Sequence, residues 1–287
     1  MPTVPAIGRY AVAPIWKRPR AGSILQSQLL LGEPVRVLEA VDAFSRVAYD
    51  RGRGEGYVRT DQLLPVYESL YKEQEQNPAL VLEPYAHLLS DVRGVPVTFG
   101  ARLPRFDGLQ TQLGAERFRF SGQAVFPGHQ AIDAALLLRL GRKWLYVPEQ
   151  ASGRTPVGVG AVELVQLLYA LTGTDLPRKL TAMLGEGRTV DFVEQCQPGD
   201  LAFFDGGRGG LSHVGILMPG SEVLHVDGRV RVDAIDHFGI FDREAGCYTH
   251  RLRIVRRLLP DVPPGEAMRL EDKISVARPD PQQMAIF

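Results

Sequence analysis

The chain has 287 residues, of which 45% are hydrophobic and 23% are charged, a size and composition that allow two or three globular domains, each with its own core. Its 33 basic side chains (Lys and Arg) equal its 33 acidic ones, so net charge does not favour binding to nucleic acid or to an anionic membrane. No apolar run approaches the roughly 18 residues that span a bilayer, so we expect no membrane insertion.

The first 66 residues predict a small β-barrel. Three β-rich runs, Val35–Ala40, Phe44–Tyr49 and Gly56–Arg59, are separated by Asp42 and by a glycine-rich turn at 52–56. No stretch among them has a helical period over a useful length. Short strands joined by tight turns are typical of a barrel of this size.

Residues 67–128 begin with a polar stretch at 68–77, which indicates a linker or a short solvated helix. The chain then returns to β-rich runs at Val95–Phe99, Phe118–Phe120 and Gln123–Phe126, broken by glycine and proline. These runs predict a second small barrel, with a looser pattern than the first.

From residue 129 the pattern changes to helices followed by strands. A first helix is predicted at Gln130–Leu140, with Gly141 as its stop. In a second, four leucines recur at helical spacing between 164 and 171. Strand candidates follow up to residue 258. This order predicts an α+β domain at 129–259, with helices packed on an antiparallel sheet, and a mobile tail at 260–287 that is rich in proline and polar residues.

This last region contains four motifs in order along the chain. Residues 154–166 read R-T-P-V-G-V-G-A-V-E-L-V-Q, and they are followed by residues 198–204 (P-G-D-L-A-F-F), 212–216 (S-H-V-G-I) and 223–225 (V-L-H). Together they resemble the NlpC/P60 family of papain-like cysteine peptidases, in which the first motif reads R-S-P-x-G-x-D-C-S-G-L-V-Q and the other three lie on the strands that follow.

The upstream β-rich segments carry a second part of the resemblance. Residues 28–35 and 55–58 are similar to the SH3-like modules of members that cut γ-D-glutamyl–diamino acid bonds in cell-wall peptides. The resemblance therefore implies a papain-like domain preceded by two small SH3-like β-barrels.

The family's chemistry implies roles for two histidines. The nucleophile is a thiol at a helix start, where the helix lowers its pKa; an imidazole moves the proton, and a third polar group fixes the tautomer of that imidazole. His213 stands at the position of the base, and His225 stands at the orienting position. Two adjacent strands with a turn at 219–221 would bring these imidazoles together if both point to one face.

The nucleophile position of the motif is Ala161. The family's D-C-S-G is replaced by Gly160, Ala161, Val162 and Glu163, and neither Ala161 nor Val162 offers a lone pair or a proton for chemistry. The sequence therefore predicts a catalytically inactive homologue, in which the two histidines are the remnant of a catalytic dyad.

Three residues are predicted to contact a ligand: Tyr146, Glu163 and Lys179. The family's L-P-R-D-A-x-x-Q stretch places an acid beside the pocket for a free peptide amine, whereas this chain has Lys179 and Met183 at the positions of the acid and the glutamine. Tyr146 keeps the tyrosine of the family's P-Y-x-W-G-G motif. Glu163, in the first turn of its helix, either faces solvent or pairs with protonated His213.

The two cysteines, Cys196 and Cys247, leave one alternative open, an active peptidase with an unexpected nucleophile. We expect neither to react, because reactivity requires an electropositive, imidazole-paired site. Two cysteines form no disulfide framework, and Met1 to Arg9 lacks the basic and apolar stretches of a signal peptide. The sequence thus predicts a cytoplasmic protein with reduced thiols, or a periplasmic or secreted one if a leader has been removed.

Three functions remain open from the sequence. The favoured one is an inactive homologue that binds cell-wall peptides or a partner protein. The others are an active cysteine peptidase and an interaction protein whose cleft is filled by Val162, Glu163 and Met183. A metal site from the two histidines and Asp227 is disfavoured because the peptidase motif explains their spacing, and no cofactor is expected. The sequence carries no signal for the oligomeric state.

Overall fold

A computed structural model describes residues 3–127, 133–191, 193–206 and 210–261. The predicted tail at 260–287 lies outside the described residues from 262 onward, as do residues 130–132 of the first predicted helix. No helix within these ranges is long and apolar enough to cross a membrane.

The first part of the chain forms one antiparallel sheet around its own apolar core. Its strands are β1 (Val4–Gly8), β2 (Val12–Trp16), β3 (Leu25–Leu30), β4 (Pro34–Val41), β5 (Phe44–Tyr49), β6 (Gly54–Arg59) and β7 (Leu63–Pro65). They lie in the order β3-β2-β6-β5-β4-β1-β7. The three strands predicted here are β4, β5 and β6, and alternate side chains such as Val35, Val47 and Val58 point into the core.

The second part joins one helix to two small sheets. Its elements are α1 (Glu68–Gln76), β8 (Leu80–Val81), β9 (Tyr85–Leu89), β10 (Gly94–Thr98), β11 (Gln110–Leu113), β12 (Glu116–Phe120) and β13 (Ala124–Val125). Four strands lie in the order β10-β9-β12-β11, and β8 pairs with β13. The polar stretch at 68–77 is the helix α1, and it is only partly solvated because Tyr71 and Gln74 are buried. The guanidinium of Arg36, on β4, stacks over the ring of Tyr71 at 3.8 Å.

The third part contains the remaining helices and a long antiparallel sheet. Its elements are α2 (Ala134–Arg142), β14 (Arg154–Thr155), β15 (Gly158–Val159), α3 (Ala161–Ala170), α4 (Leu180–Met183), β16 (Arg188–Val190), β17 (Leu201–Asp205), β18 (Leu211–Met218), β19 (Glu222–Asp227), β20 (Arg229–Ile235), β21 (Gly239–Asp242) and β22 (Cys247–Arg257). The large sheet has the order β16-β22-β17-β18-β19-β20-β21. Because β21 also pairs with β22, the strands from β17 to β22 close into a barrel.

The wall of this barrel has two apolar faces. Phe204, Leu217 and Ile240 belong to the cluster inside the barrel, whereas Phe203 and Val214 belong to the large core outside it. Successive residues of a strand point to opposite faces, so the alternation of apolar residues along β17 and β18 serves both cores.

Helix α3 packs on the outer face of the barrel. Its four leucine positions are buried as the helical spacing predicts, and the chain turns after it at Gly173, which has a φ of 80°. The predicted stop of α2 at Gly141 is wrong, because the helix continues to Arg142. Gly141 instead allows close packing, since a Cβ atom there would lie 2.6 Å from a methyl carbon of Leu224.

The large core connects all three parts of the chain. Leu30 of the first sheet and Phe99 of the second part are buried together with the leucines of α2 and α3. The rings of Phe99 and Trp144 meet edge to face, with their centroids 5.3 Å apart. The position of the third part is therefore fixed by apolar contacts with both preceding parts.

Candidate functional site

Two of the predicted site residues, His213 and His225, lie side by side on the inner wall of the barrel. Nε2 of His213 is 3.0 Å from Nδ1 of His225, and Nε2 of His225 is 2.8 Å from a carboxylate oxygen of Asp233. The carboxylate can only accept, so His225 carries its proton on Nε2 and accepts on Nδ1. His213 then donates from Nε2, which leaves its Nδ1 as the basic nitrogen.

Asp233 is itself held by arginine. Nη2 of Arg231 donates to Oδ1 of Asp233 at 2.9 Å, and its Nη1 lies 3.1 Å from the carboxylate of Asp242. Burial raises the pKa of Asp233, but the hydrogen bonds from His225 and Arg231 outweigh it and hold that pKa below its usual range. The acid at the end of the imidazole relay is therefore ionised at neutral pH.

A third imidazole, His250, completes this cluster. Its ring centroid is 4.3 Å from that of His213, and the ring of Phe204 covers both. Burial, together with the His250 and His225 rings, lowers the pKa of His213 to about 2. Burial also lowers the pKa of His250. His213 and His250 are therefore neutral near pH 7, and His213 is a weak base in this environment.

The sequence analysis missed Asp233 and His250. The alternation of side chains along a strand could have indicated Asp233. Val223 and His225 are two residues apart on β19 and so share the inner face, and Asp233 pairs with Val223. The position of His250 depends on the pairing of β21 with β22, which places it opposite Ile240 of the inner cluster. The local sequence does not predict the pairing of β21 with β22.

Ala161 is the first residue of α3, as the motif predicts, and Gly160 caps the helix. The side chain of Ala161 is half-buried against the large outer core, whereas the imidazoles lie on the inner wall. The start of α3 therefore lies on the outer side of the barrel wall, and its first side chain is a methyl group.

Glu163 behaves differently from both hypotheses. Its carboxylate folds back over the helix start, where a Cβ atom on Gly160 would lie 2.2 Å from its Oε2. Burial raises the pKa of Glu163, and Arg154 and Arg178 partly oppose this shift. The residue is only partly exposed, and it is not among the groups that shift the pKa of His213, which are the other two imidazoles. It occupies the space that a side chain at position 160 would take.

The other two predicted ligand contacts lie on the surface. The side chain of Tyr146 is 79% exposed, and the backbone N–H of Tyr146 donates to the carbonyl of Val230 at 2.9 Å. Lys179 is exposed and precedes α4, where it borders an open cavity together with Tyr49. Met183 is fully buried in the large core.

Neither cysteine contacts the imidazole cluster. Cys196 lies at the opposite end of the barrel, beside Leu217, which follows His213 by four residues or about 13 Å of strand. Burial raises the pKa of the Cys196 thiol to about 11. Cys247 is exposed at the start of β22, where it pairs with Asp242. Neither thiol is in a disulfide.

A buried ionic cluster joins the first sheet to the third part of the chain. Oε2 of Glu33 lies 2.7 Å from Nη1 of Arg154, and Oε1 of the same residue lies 3.2 Å from Nη2 of Arg178. Burial opposes ionisation of Glu33, but the two guanidiniums lower its pKa to about 2. The motif arginines at 154 and 178 thus hold the SH3-like sheet against the start of α3, a role that sequence reasoning did not find.

Within the described residues, no group of three or more His, Cys, Asp and Glu side chains is arranged to hold a metal ion. The site consists of an imidazole relay with an ionised acid, Asp233, at one end, and Ala161 is the first residue of the neighbouring helix α3.

Comparison with known proteins agrees with this architecture. The NlpC/P60 family model matches residues 149–246, and the model of the bacterial dipeptidyl-peptidase SH3 domain matches residues 15–63. A helix packed on a closed barrel whose inner wall carries the imidazole relay is thus the papain-like domain of that family. The chain carries an NlpC/P60 domain of the cell-wall peptidase family behind a bacterial SH3 domain, and the predicted fold class is confirmed.

The similarity to individual proteins covers most of the chain. A γ-D-glutamyl-L-lysine dipeptidyl-peptidase of Bacillus subtilis (strain 168) is 24% identical over 220 residues, which are 71% of this chain and 72% of that protein. The crystal structure of an NlpC/P60 family protein from Bacillus cereus ATCC 10987 has a TM-score of 0.74 at 20% identity and covers 89% of this chain and 100% of its own. An NlpC/P60 endopeptidase from Photobacterium damselae subsp. piscicida has a TM-score of 0.67 at 14% identity and covers 88% of this chain and 70% of its own. The two solved structures show the shared fold.

Proposed function

We propose that this chain is a catalytically inactive NlpC/P60 homologue that binds peptidoglycan-derived peptides without cleaving them. The observation that carries the proposal is Ala161 as the first residue of α3, at the position where the family motif has cysteine. A methyl group cannot become a nucleophile, so no covalent intermediate can form there.

The imidazole relay supports the same proposal. His213, His225 and Asp233 form a continuous chain that could orient a base, but that base has no thiol to deprotonate. A pKa of about 2 also makes His213 a poor proton acceptor near neutral pH, where efficient general bases titrate. The relay is thus explained by its packing in the barrel.

An active peptidase with a misplaced thiol is the competing function. Cys196 has a raised pKa and lies at the far end of the barrel, and Cys247 is exposed outside the imidazole cluster. Both features oppose a thiolate paired with imidazole, which cysteine catalysis requires.

The relatives support one chemical class for the ligand. One similar protein is a γ-D-glutamyl-L-lysine dipeptidyl-peptidase, so peptides with a γ-D-glutamyl–diamino acid bond are the first candidates. Tyr146 and Lys179 are exposed and available to a ligand, and Glu163 places a carboxyl group at the helix start. A partner protein bound at the same surface is the other outcome that the experiment distinguishes.

The test combines turnover with binding. The full chain is incubated with L-Ala-γ-D-Glu-L-Lys and with L-Ala-γ-D-Glu-diaminopimelate, and release of the diamino acid is measured with and without a thiol-alkylating agent. Calorimetry with the same peptides measures binding. We expect binding and no release; release that alkylation abolishes would establish the active peptidase instead.

Matched variants locate the binding surface. Lys179→Ala and Tyr146→Ala should weaken peptide binding, whereas Lys143→Ala, which removes another exposed lysine, should leave it unchanged. If the chain binds neither peptide, the proposal of peptide binding fails and a partner protein becomes the better hypothesis.

A further inference from the structure

The end of the barrel that faces away from the imidazoles opens into a cavity of about 280 Å³. Its floor is the inner wall, formed by the apolar side chains of Leu217, Ile235, Leu252 and Val255. Pockets that bind small molecules are typically apolar with a few polar groups at fixed positions. This cavity is separated from the imidazole cluster by the buried side chains of the inner cluster, so it is a different site from the one described above.

The rim of the cavity is held in place by the backbone. The turn between β18 and β19 has left-handed residues at Gly220 and Ser221, and the carbonyl of Ser221 accepts a hydrogen bond of 2.9 Å from the N–H of Ile235. On the other side, two nitrogens of Arg257 donate to the carboxylate of Asp200, each at 2.8 Å. A cavity with fixed walls loses little entropy when a ligand enters.

The charged side chains that line the cavity have one sign. They are Glu222 and Asp236, and among the described residues no Lys, Arg or His lines it. The nearby Arg257 is paired with Asp200. The carboxylate of Asp236 accepts from the hydroxyl of Tyr248 at 2.5 Å, and this bond holds its pKa below the usual range. Glu222 forms no ion pair with any described residue. An apolar floor below two carboxylates complements a ligand with an aliphatic chain and a positive end.

We infer that this cavity binds a primary alkylammonium group, with its methylenes on the apolar floor and its ammonium at the carboxylates of Glu222 and Asp236. Burial of the methylenes on the apolar floor favours binding, and the ammonium stays at the rim, where water and the carboxylates both solvate it. The inference does not depend on whether the imidazole end of the barrel is catalytic.

Cys196 provides the readout, because its thiol lines the same cavity. In a Cys247→Ser chain, the rate at which an aromatic disulfide reagent modifies Cys196 is measured with increasing n-pentylamine. We expect the reaction to slow by at least about fivefold, since occupancy at four times the dissociation constant leaves a fifth of the sites open. Calorimetry with the same ligand measures binding independently of the thiol.

Ligand controls separate charge from apolar contact. Pentan-1-ol has the same chain without the charge, and pentanoate has the opposite charge, so neither should protect Cys196. Nα-acetyl-lysine amide tests whether the amine can be a lysine side chain; protection by it identifies a peptide source, and protection by n-pentylamine alone identifies a free amine. Absence of protection and binding with n-pentylamine, or equal protection by the alcohol, would overturn the inference.

A pair of variants tests the role of the carboxylate. Glu222→Gln should reduce the protection by n-pentylamine severalfold, whereas Glu194→Gln, which removes an acid near Cys196 that does not line the cavity, should leave it unchanged. Equal protection in the Glu222→Gln chain and the parent would contradict the assigned ammonium site.

Discussion

The inner wall of the barrel and the start of α3 hold their polar residues in different ways. On the wall, His213, His225 and Asp233 are buried in one hydrogen-bonded chain, and removing any member would leave a neighbour unpaired. At the helix start, position 161 carries a methyl group, and Glu163 fills the space over Gly160. The hydrogen bonds of the relay thus stabilise the barrel, whereas position 161 contributes no such bond. An intact relay is therefore no evidence of catalysis.

The largest expected effect comes from rebuilding the helix start. Replacing residues 160–163 by Asp-Cys-Ser-Gly places a thiol at the N-terminus of α3, where the helix favours the thiolate. If the helix start reaches the imidazoles over the barrel rim, γ-D-glutamyl peptide hydrolysis should rise at least about a hundredfold over the matched chain with Asp-Ser-Ser-Gly. The measurement is peptide hydrolysis with and without alkylation.

Two further variants sharpen this result. Ala161→Cys alone keeps Glu163, and its carboxyl group should raise the thiol pKa relative to the four-residue replacement, as measured by the pH dependence of alkylation. Adding Lys179→Asp to the rebuilt chain tests whether the lysine excludes a peptide amine. A rebuilt, folded chain that stays inactive even with this change would show that the helix start no longer meets the relay.

The next effect concerns the ionic cluster that positions α3. Glu33 has a pKa of about 2 in the folded chain against 4.5 for an unperturbed carboxyl, so its ionisation contributes about 3 kcal/mol to stability at neutral pH. Because the pKa is lowered, this contribution is present above pH 4.5 and is lost as the pH falls from 4.5 towards 2. Denaturant unfolding of Glu33→Gln should show the loss at pH 7 and a flatter profile in that window. Glu39→Gln, which removes an exposed partner of Arg46, should change stability by less than about 1 kcal/mol.

A second pH effect belongs to the relay and should begin at mildly acidic pH. The pKa of His213 is lowered to about 2 in the folded chain, so the unfolded chain binds its proton first. The free energy of unfolding therefore does not depend on His213 above pH 6.5, and it decreases as the pH drops below 6.5. This decrease begins at a higher pH than the one due to Glu33. NMR titration should show a neutral His213 ring down to pH 4, and His213→Gln should remove this slope. A His213 ring that titrates near pH 6.5 would contradict the structure of the relay.

The smallest effect is expected at Glu163. Burial raises the pKa of its carboxyl group, so the folded chain holds the proton more tightly and this residue costs stability as the pH rises above 4.5. Glu163→Gln should therefore stabilise the protein slightly at neutral pH and leave its stability unchanged near pH 3. A destabilised Glu163→Gln chain would show that the charged carboxylate is needed at the helix start.

Local patterns predicted several of the elements, and the family motif predicted that Ala161 lies at a helix start. The leucine spacing predicted α3, and the β-rich runs between turns predicted β4 and β5. The family motifs predicted the strands that carry His213 and His225 and put Ala161 at the first helical residue. These features depend on residues a few positions apart, whose side chains are set by the period of one helix or strand.

Only the tertiary structure decided how these elements meet. Closure of the barrel through β21 and β22 brought Asp233 and His250 to the imidazoles, and the buried cluster around Glu33 joined segments more than a hundred residues apart. Gly141, predicted as a helix stop, is instead required by close packing against Leu224. Such contacts depend on which faces of distant elements are buried against each other. The local periodicity of a sequence does not show which faces these are.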